Sequence, residues 1–153
     1  MAIDLNKLKQ LREETGLSVS LCRKALEETD YDIEKAKKKL NEWTGEKISE
    51  KLTRTASQGG IFCYMHHNRK IAGMVELRSE TDFVSGNDEF RKLGNELAMQ
   101  IATFPAEDVE SFLKQEYIRD AKQTIDELIR AAILKFGENI QVARIVRWEL
   151  GQN

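Results

Sequence analysis

One proline in 153 residues, two cysteines, two histidines and no long apolar run: each scarcity removes a class of protein. So little proline, with only nine glycines and 41% hydrophobic residues, excludes a collagenous, low-complexity or mostly disordered chain. Cys22 and Cys63 are too few for a disulfide framework, as is usual in a reducing compartment. No segment approaches the roughly 18 apolar residues needed to span a bilayer. Met1-Ala2-Ile3-Asp4 carries neither the basic nor the apolar region of a secretion signal, so a cytoplasmic protein without a membrane partner is expected. Basic and acidic side chains nearly balance, 24 against 26, which leaves no electrostatic footprint for nucleic acid.

Chemistry-bearing side chains are equally sparse. Strand alternation would send His66 and His67 to opposite faces, and Cys22 lies in a separate segment, so no metal site is expected. Cys63 and His67 fall two strand steps apart in an otherwise apolar run, a pattern of packing rather than nucleophilic catalysis. There is no phosphate loop or dinucleotide fingerprint; Gly59-Gly60 is a turn before a strand. The chain does not look like an enzyme, and no cofactor is implied.

What is present is periodicity. Leu5, Leu8 and Leu11 form one helical stripe that stops at Thr15-Gly16. Ser18 caps a second block with Val19, Cys22, Ala25 and Leu26 on its apolar face. After a break at Thr29 to Asp32, Ile33, Ala36, Leu40 and Trp43 repeat at the same spacing. Three helices this short bury little alone and form a small module, residues 1–44, suited to holding one surface against a partner. Residues 45–57 are polar, with Ile48 and Leu52 four apart, and read as a short helical or loose linker. Charge divides near the same place: residues 1–55 hold 12 basic and 11 acidic side chains, residues 56–153 hold 12 and 15. Lys35, Lys37, Lys38 and Lys39 concentrate on the third helix, but interleaved acids and the lack of accompanying aromatics mark a solvated face.

From Gly59-Gly60 the period changes to that of a sheet. Ile61 to His67 and Ile71 to Glu80 are β-rich runs joined by the short turn Asn68-Arg69-Lys70. Asn87 or Asp88 caps a helix with Phe90, Leu93, Leu97, Ile101 and Phe104 three and four apart, broken at Pro105. Two further helices are expected, Val109 to about Tyr117 and a second through Ile125, Ile129, Ile133 and Phe136 to Gly137. Asn139 to Leu150 alternates, with Ile140, Val142, Val146, Trp148 and Leu150 on one parity. The expectation is an α+β protein: the three-helix module, then residues 58–153 as a three-stranded antiparallel sheet packed with helices. Both parities of Ile61 to Leu77 are apolar, so helices cover one sheet face and the other calls for a second copy of the chain.

Ser79 to Asn87 is unusual. Phe83 and Val84 sit at a strand exit between Glu80, Asp82 and a polar Ser-Gly-Asn turn, where loops normally present polar groups. Either Phe83 staples the strand to the next helix and Asp82 merely caps a turn, or the pair is displayed for a partner.

Glu80-Thr81-Asp82-Phe83-Val84, after the strand Gly73-Met74-Val75-Glu76-Leu77, resembles the signature of the elongation factor Ts family. Leu11-Arg12-Glu13-Glu14-Thr15-Gly16 followed by Cys22-Arg23-Lys24-Ala25-Leu26-Glu27 is similar to that family's ubiquitin-associated-like N-terminal domain. Gly137-Glu138-Asn139-Ile140, with Arg144, Arg147 and Glu149, is similar to its terminal strand. The resemblance implies a guanine-nucleotide exchange factor for elongation factor Tu, with Thr81, Asp82, Phe83 and Val84 displacing the Mg²⁺ environment of the bound nucleotide. It implies that the N-terminal module grips the partner's nucleotide-binding domain through Arg12 and two large apolar side chains. This chain has Val19 and Ser20 at those two positions, and Leu21 where the family often has an acid, which implies a smaller contact. Many members have two related core halves; this chain resembles the short, single-half type, shortened further. An adaptor that binds a partner without loosening its nucleotide is the alternative.

Overall fold

The computed structural model describes residues 2–152 and divides between Ser49 and Glu50 into two compact units. In the first, Asp4 caps helix α1 (Leu5–Thr15) by accepting from the amides of Asn6 and Lys7, and Gly16, at φ 68°, closes it in the left-handed conformation. Ser18 caps α2 (Val19–Glu28), as its position before the apolar block requires. Leu11, Cys22, Ala25, Leu26, Ala36 and Leu40 form the core, with Leu8, Leu17, Leu21, Tyr31, Ile33 and Trp43 packed around them. The Leu5–Leu8–Leu11 stripe is not uniformly interior: burial falls along α1 from Leu11 through Leu8 to Leu5, which is 72% exposed. The other two helices cover only the C-terminal half of α1.

Helix α3 (Ile33–Leu52) does not stop at residue 44. Thr44 is buried with its hydroxyl on the Leu40 carbonyl (2.8 Å), Ile48 is buried one turn on, and Glu46, Lys47, Glu50 and Lys51 are good helix formers that offset Gly45. The polar stretch expected as linker is therefore mostly helical.

The second unit is built on a three-stranded antiparallel sheet in the order β1 (Gln58–Met65), β2 (Ile71–Ser79), β5 (Gln141–Glu149). This is the expected α+β class and sheet. Phe62, Val75 and Ile145 stand in register on one face, where α5 (Asp88–Thr103) buries Phe90, Leu97, Ala98 and Ile101. Two glycines set how closely that helix approaches. A Cβ on Gly73 would lie 2.7 Å from the Ala98 carbonyl, and one on Gly94 would lie 2.2 Å from the Phe62 ring. At the hairpin, strand alternation ends with Met65; His66 and His67 do not diverge but lie with ring centroids 4.2 Å apart, because the chain turns there, with Arg69 at φ 61°.

Strand β5 departs from simple alternation. Leu77 pairs with Val142 but Glu76 pairs with Arg144, so Ala143 is an extra residue. Before it Val142 faces the helices with Leu77; after it Val146 and Trp148 face away with Met74 and Ala72, while Arg147 turns inward and donates to the Ala102 carbonyl (3.0 Å). The apolar residues of one sequence parity thus serve two faces.

The helix expected from Val109 to Tyr117 ends early. Asp108 and Ser111 form a capping box for α6 (Val109–Leu113), and a hairpin follows, β3 (Glu116–Tyr117) with β4 (Asp120–Thr124). Buried Gln100 explains the switch: its amide donates to Gln115 Oε1 (3.1 Å) and the Glu116 carbonyl (3.0 Å), and its oxygen accepts from the Ile118 amide (3.0 Å). Tyr117 and Arg119 close on Glu96, and burial, with Glu96 adjacent, raises the Tyr117 phenol. Helix α7 (Ile125–Phe136) buries Ile125, Ile129 and Ile133 and ends at Gly137, φ 71°.

Candidate partner-docking site

Strand β2 ends at Ser79, and before the expected polar turn at Ser85-Gly86-Asn87 the chain forms a one-turn helix, α4 (Asp82–Ser85), capped by Thr81. Phe83 projects from it with 90% of its surface exposed. The reading in which Phe83 staples strand to helix is thereby contradicted. Asp82 is exposed, whereas Thr81 and Val84 are half-buried, so the structure brings the four residues together with two facing outward and two inward.

A turn of four residues does not persist alone, and this one is braced from a segment far away in sequence. The Thr81 amide donates to Glu138 Oε1 (3.0 Å) and its hydroxyl to Glu138 Oε2 (2.6 Å). The Asn139 amide donates to Glu80 Oε1 (2.8 Å), which also faces Arg54 at 3.7 Å. Asn139 is fully buried, and its side-chain amide donates to the Arg54 carbonyl (2.7 Å). Sequence reasoning quoted Glu138 and Asn139 only as part of a strand motif. Nothing local reveals that they brace a loop some 57 residues away.

In the first unit Arg12, Val19 and Ser20 are all exposed. Arg12 and Val19 line one shallow cleft with Leu5, Leu8, Lys9, Glu13 and Gly16; Ser20 is not part of it. Leu5, the first residue of the helical stripe, is an apolar wall of this surface.

Among the described residues of the second unit, no element covers the sheet face opposite α5. Its cross-strand rows are Ile61–Glu76–Arg144, Cys63–Met74–Val146 and Met65–Ala72–Trp148, with Trp148 75% exposed. At one end Glu76 accepts from Arg78 (2.7 Å) and Arg144 (3.2 Å), and these guanidinium groups hold its carboxyl below the usual range. Among the described residues no group of three or more His, Cys, Asp or Glu could hold a metal ion, and no helix is long and apolar enough to cross a membrane.

Fold and surface together define a class: a helical module followed by an α+β unit that displays a braced aromatic side chain. The family model for elongation factor TS matches residues 80–153. The chain is 36% identical over 197 aligned positions to elongation factor Ts of Coprothermobacter proteolyticus, covering 99% of this chain and 100% of that one. It is 34% identical to that of Fervidobacterium nodosum with the same coverage. Over 137 positions it is 42% identical to that of Clostridium novyi, covering 90% of this chain but 45% of the relative. The chain belongs to the elongation factor Ts family, and its role is in translation elongation. The 197-position alignments exceed the chain's 153 residues, so those relatives carry residues this chain lacks.

Proposed function

We propose that this protein promotes release of GDP from elongation factor Tu in the cytoplasm, acting by docking and without covalent chemistry. The observation that carries the reading is the display of Phe83 on a braced turn beside the exposed carboxylate of Asp82. A magnesium ion at a bound nucleotide is held by oxygen ligands. An intruding carboxylate competes with or repels those groups, while an aromatic ring wedges apart the elements that frame them. Coupling is reciprocal, so a protein that loosens the nucleotide is itself released when nucleotide rebinds. A thousandfold loosening needs about 4 kcal/mol, and burying one Phe supplies roughly 1.5–3 kcal/mol. The rest of the interface must therefore contribute. Arg12, Val19 and Ser20 on the N-terminal module supply affinity for the partner's nucleotide-binding domain in this reading. The division of labour follows the proposed domains: residues 1–44 grip, 45–57 link, and 58–153 carry the exchange loop.

The uncovered sheet face supports a homodimer. A second copy related by a two-fold axis brings the same apolar rows against it; the contact is read as non-covalent, with no cysteine in β5 and with Cys63, on the same face, a free thiol. Mixing the protein with elongation factor Tu carrying labelled GDP tests the exchange reading. The expected result is accelerated loss of label that rises with concentration and saturates. Binding without acceleration would identify an adaptor instead.

A further inference from the structure

Resting on that reading, we propose that Glu138 is a positioning residue for the exchange step: its carboxylate, taking both the amide and the hydroxyl hydrogen of Thr81, sets the pose in which Phe83 is presented. Phe83 makes almost no contact of its own, so its direction is decided by the backbone beneath it. That backbone starts at Thr81, and every hydrogen-bonding group of Thr81 is engaged. Its amide and hydroxyl go to Glu138, its hydroxyl oxygen also accepts from the Val84 amide (3.4 Å), and its carbonyl accepts from the Ser79 hydroxyl (2.9 Å).

The order of these bonds matters. With the Thr81 hydroxyl hydrogen committed to Glu138, a lone pair is left facing Val84, which is the cap that starts α4. Without that carboxylate the threonine rotor is free, and a one-turn helix otherwise rests on weak terms of its own, the backbone bonds from Ser85 to Thr81 (3.3 Å) and from Gly86 to Asp82 (2.8 Å). Glu138 is itself placed by the residues around it: Gly137 turns the chain in the left-handed conformation, and Asn139 and Ile140 are buried. The Asn139–Glu80 bond adds a second link, one residue before Thr81 and one residue after Glu138. Residues 137–140 thus fix the turn that presents Phe83 before any partner arrives, so that little ordering remains to be done on binding.

The experiment uses the full chain and elongation factor Tu with labelled GDP, and reads the maximal release rate separately from the half-saturating concentration. It compares Glu138→Ala, the isosteric Thr81→Val, Thr81→Ser, which keeps both donors, and Phe83→Ala alone and combined with Glu138→Ala. Hydrogen exchange of the amides of residues 82–86 in the free chain is followed alongside, with β2 amides as the measure of global folding. Glu138→Ala is expected to lower the maximal rate about tenfold and to speed exchange of amides 82–86 by a similar factor while β2 stays protected. Thr81→Val follows it and Thr81→Ser stays within about twofold of the parent. In the Phe83→Ala background, Glu138→Ala changes the rate by less than about twofold, because no ring is left to aim.

Equal factors in both backgrounds, or an unchanged maximal rate in Glu138→Ala and Thr81→Val, would overturn the proposal. If Glu138→Ala unfolds, the isosteric variant decides. A parent chain that does not accelerate GDP release overturns the exchange reading and the role of Glu138 in it; a parent that accelerates release while the variants match it overturns the positioning role alone.

Discussion

The ring of Phe62 stands over Gly94 so closely that a methyl group there would meet three ring carbons at 2.2–2.4 Å. Strand β1 and helix α5 are therefore spaced by the absence of one side chain. Gly94→Ala gains up to about 1 kcal/mol of helix propensity but forces apart a packed interface, which costs about 1–3 kcal/mol. A net loss of stability in chemical denaturation is expected, relieved in part by adding Phe62→Leu.

Phe83→Ala should slow nucleotide release by at least about tenfold, equivalent to about 1.4 kcal/mol. Because the side chain is 90% exposed, its melting temperature should match the parent's. Asp82→Ala should cost less, since an exposed carboxylate is partly screened by solvent. Stopped-flow release with labelled GDP, beside a thermal melt, separates these effects. A melting temperature lowered by many degrees with exchange per folded molecule intact would overturn the role of Phe83 in release.

Arg12→Ala and Leu5→Ala remove parts of one cleft in the N-terminal unit. Each should raise the concentration needed for half-maximal release severalfold and leave the maximal rate unchanged, because the cleft is assigned to grip and not to the nucleotide. A titration of the release rate against protein concentration checks this. A lowered plateau at saturation would mean that the module acts on the nucleotide directly.

Trp148→Lys places a charge on the uncovered sheet face beside Ala72 and Met65. The parent should scatter light as a dimer at micromolar concentration and the variant as a monomer with an unchanged circular dichroism spectrum. A monomeric parent would refute the two-fold contact.

Glu76 supplies a pH dependence. Hydrogen bonding from Arg78, aided by the charges of Arg78 and Arg144, holds its folded carboxyl below the ordinary 4.5. The stability it contributes is present above 4.5 and is lost as pH falls through the lower folded value. Urea midpoints of the parent and of Glu76→Gln should therefore differ most at neutral pH and converge in acid, and high salt should narrow the gap.

Much of the architecture was legible from local pattern, because caps and periods act within a few residues. Ser18, Gly16, Asn87 and Gly137 terminate helices where their types and places require. Misreadings arose where a distant group decided the outcome. Gln100 captures the backbone after Leu113 and makes a hairpin of a segment that could have continued as a helix. The extra residue at Ala143 moves Trp148 to the opposite face from Val142, and alternation alone does not reveal it. The loop of Thr81 to Val84 was visible as an anomaly of composition, but its brace was not, since Glu138 meets Thr81 only once β2 and β5 have paired.

Cys22 is buried and Cys63 exposed, so the folded chain offers a single reactive thiol, and it lies in the middle row of the uncovered sheet face. A thiol reagent therefore labels that face alone, without engineering. Its rate of modification as the protein is diluted becomes a clock for how often the face is bare, and a dye attached there reports whatever comes to lie against it.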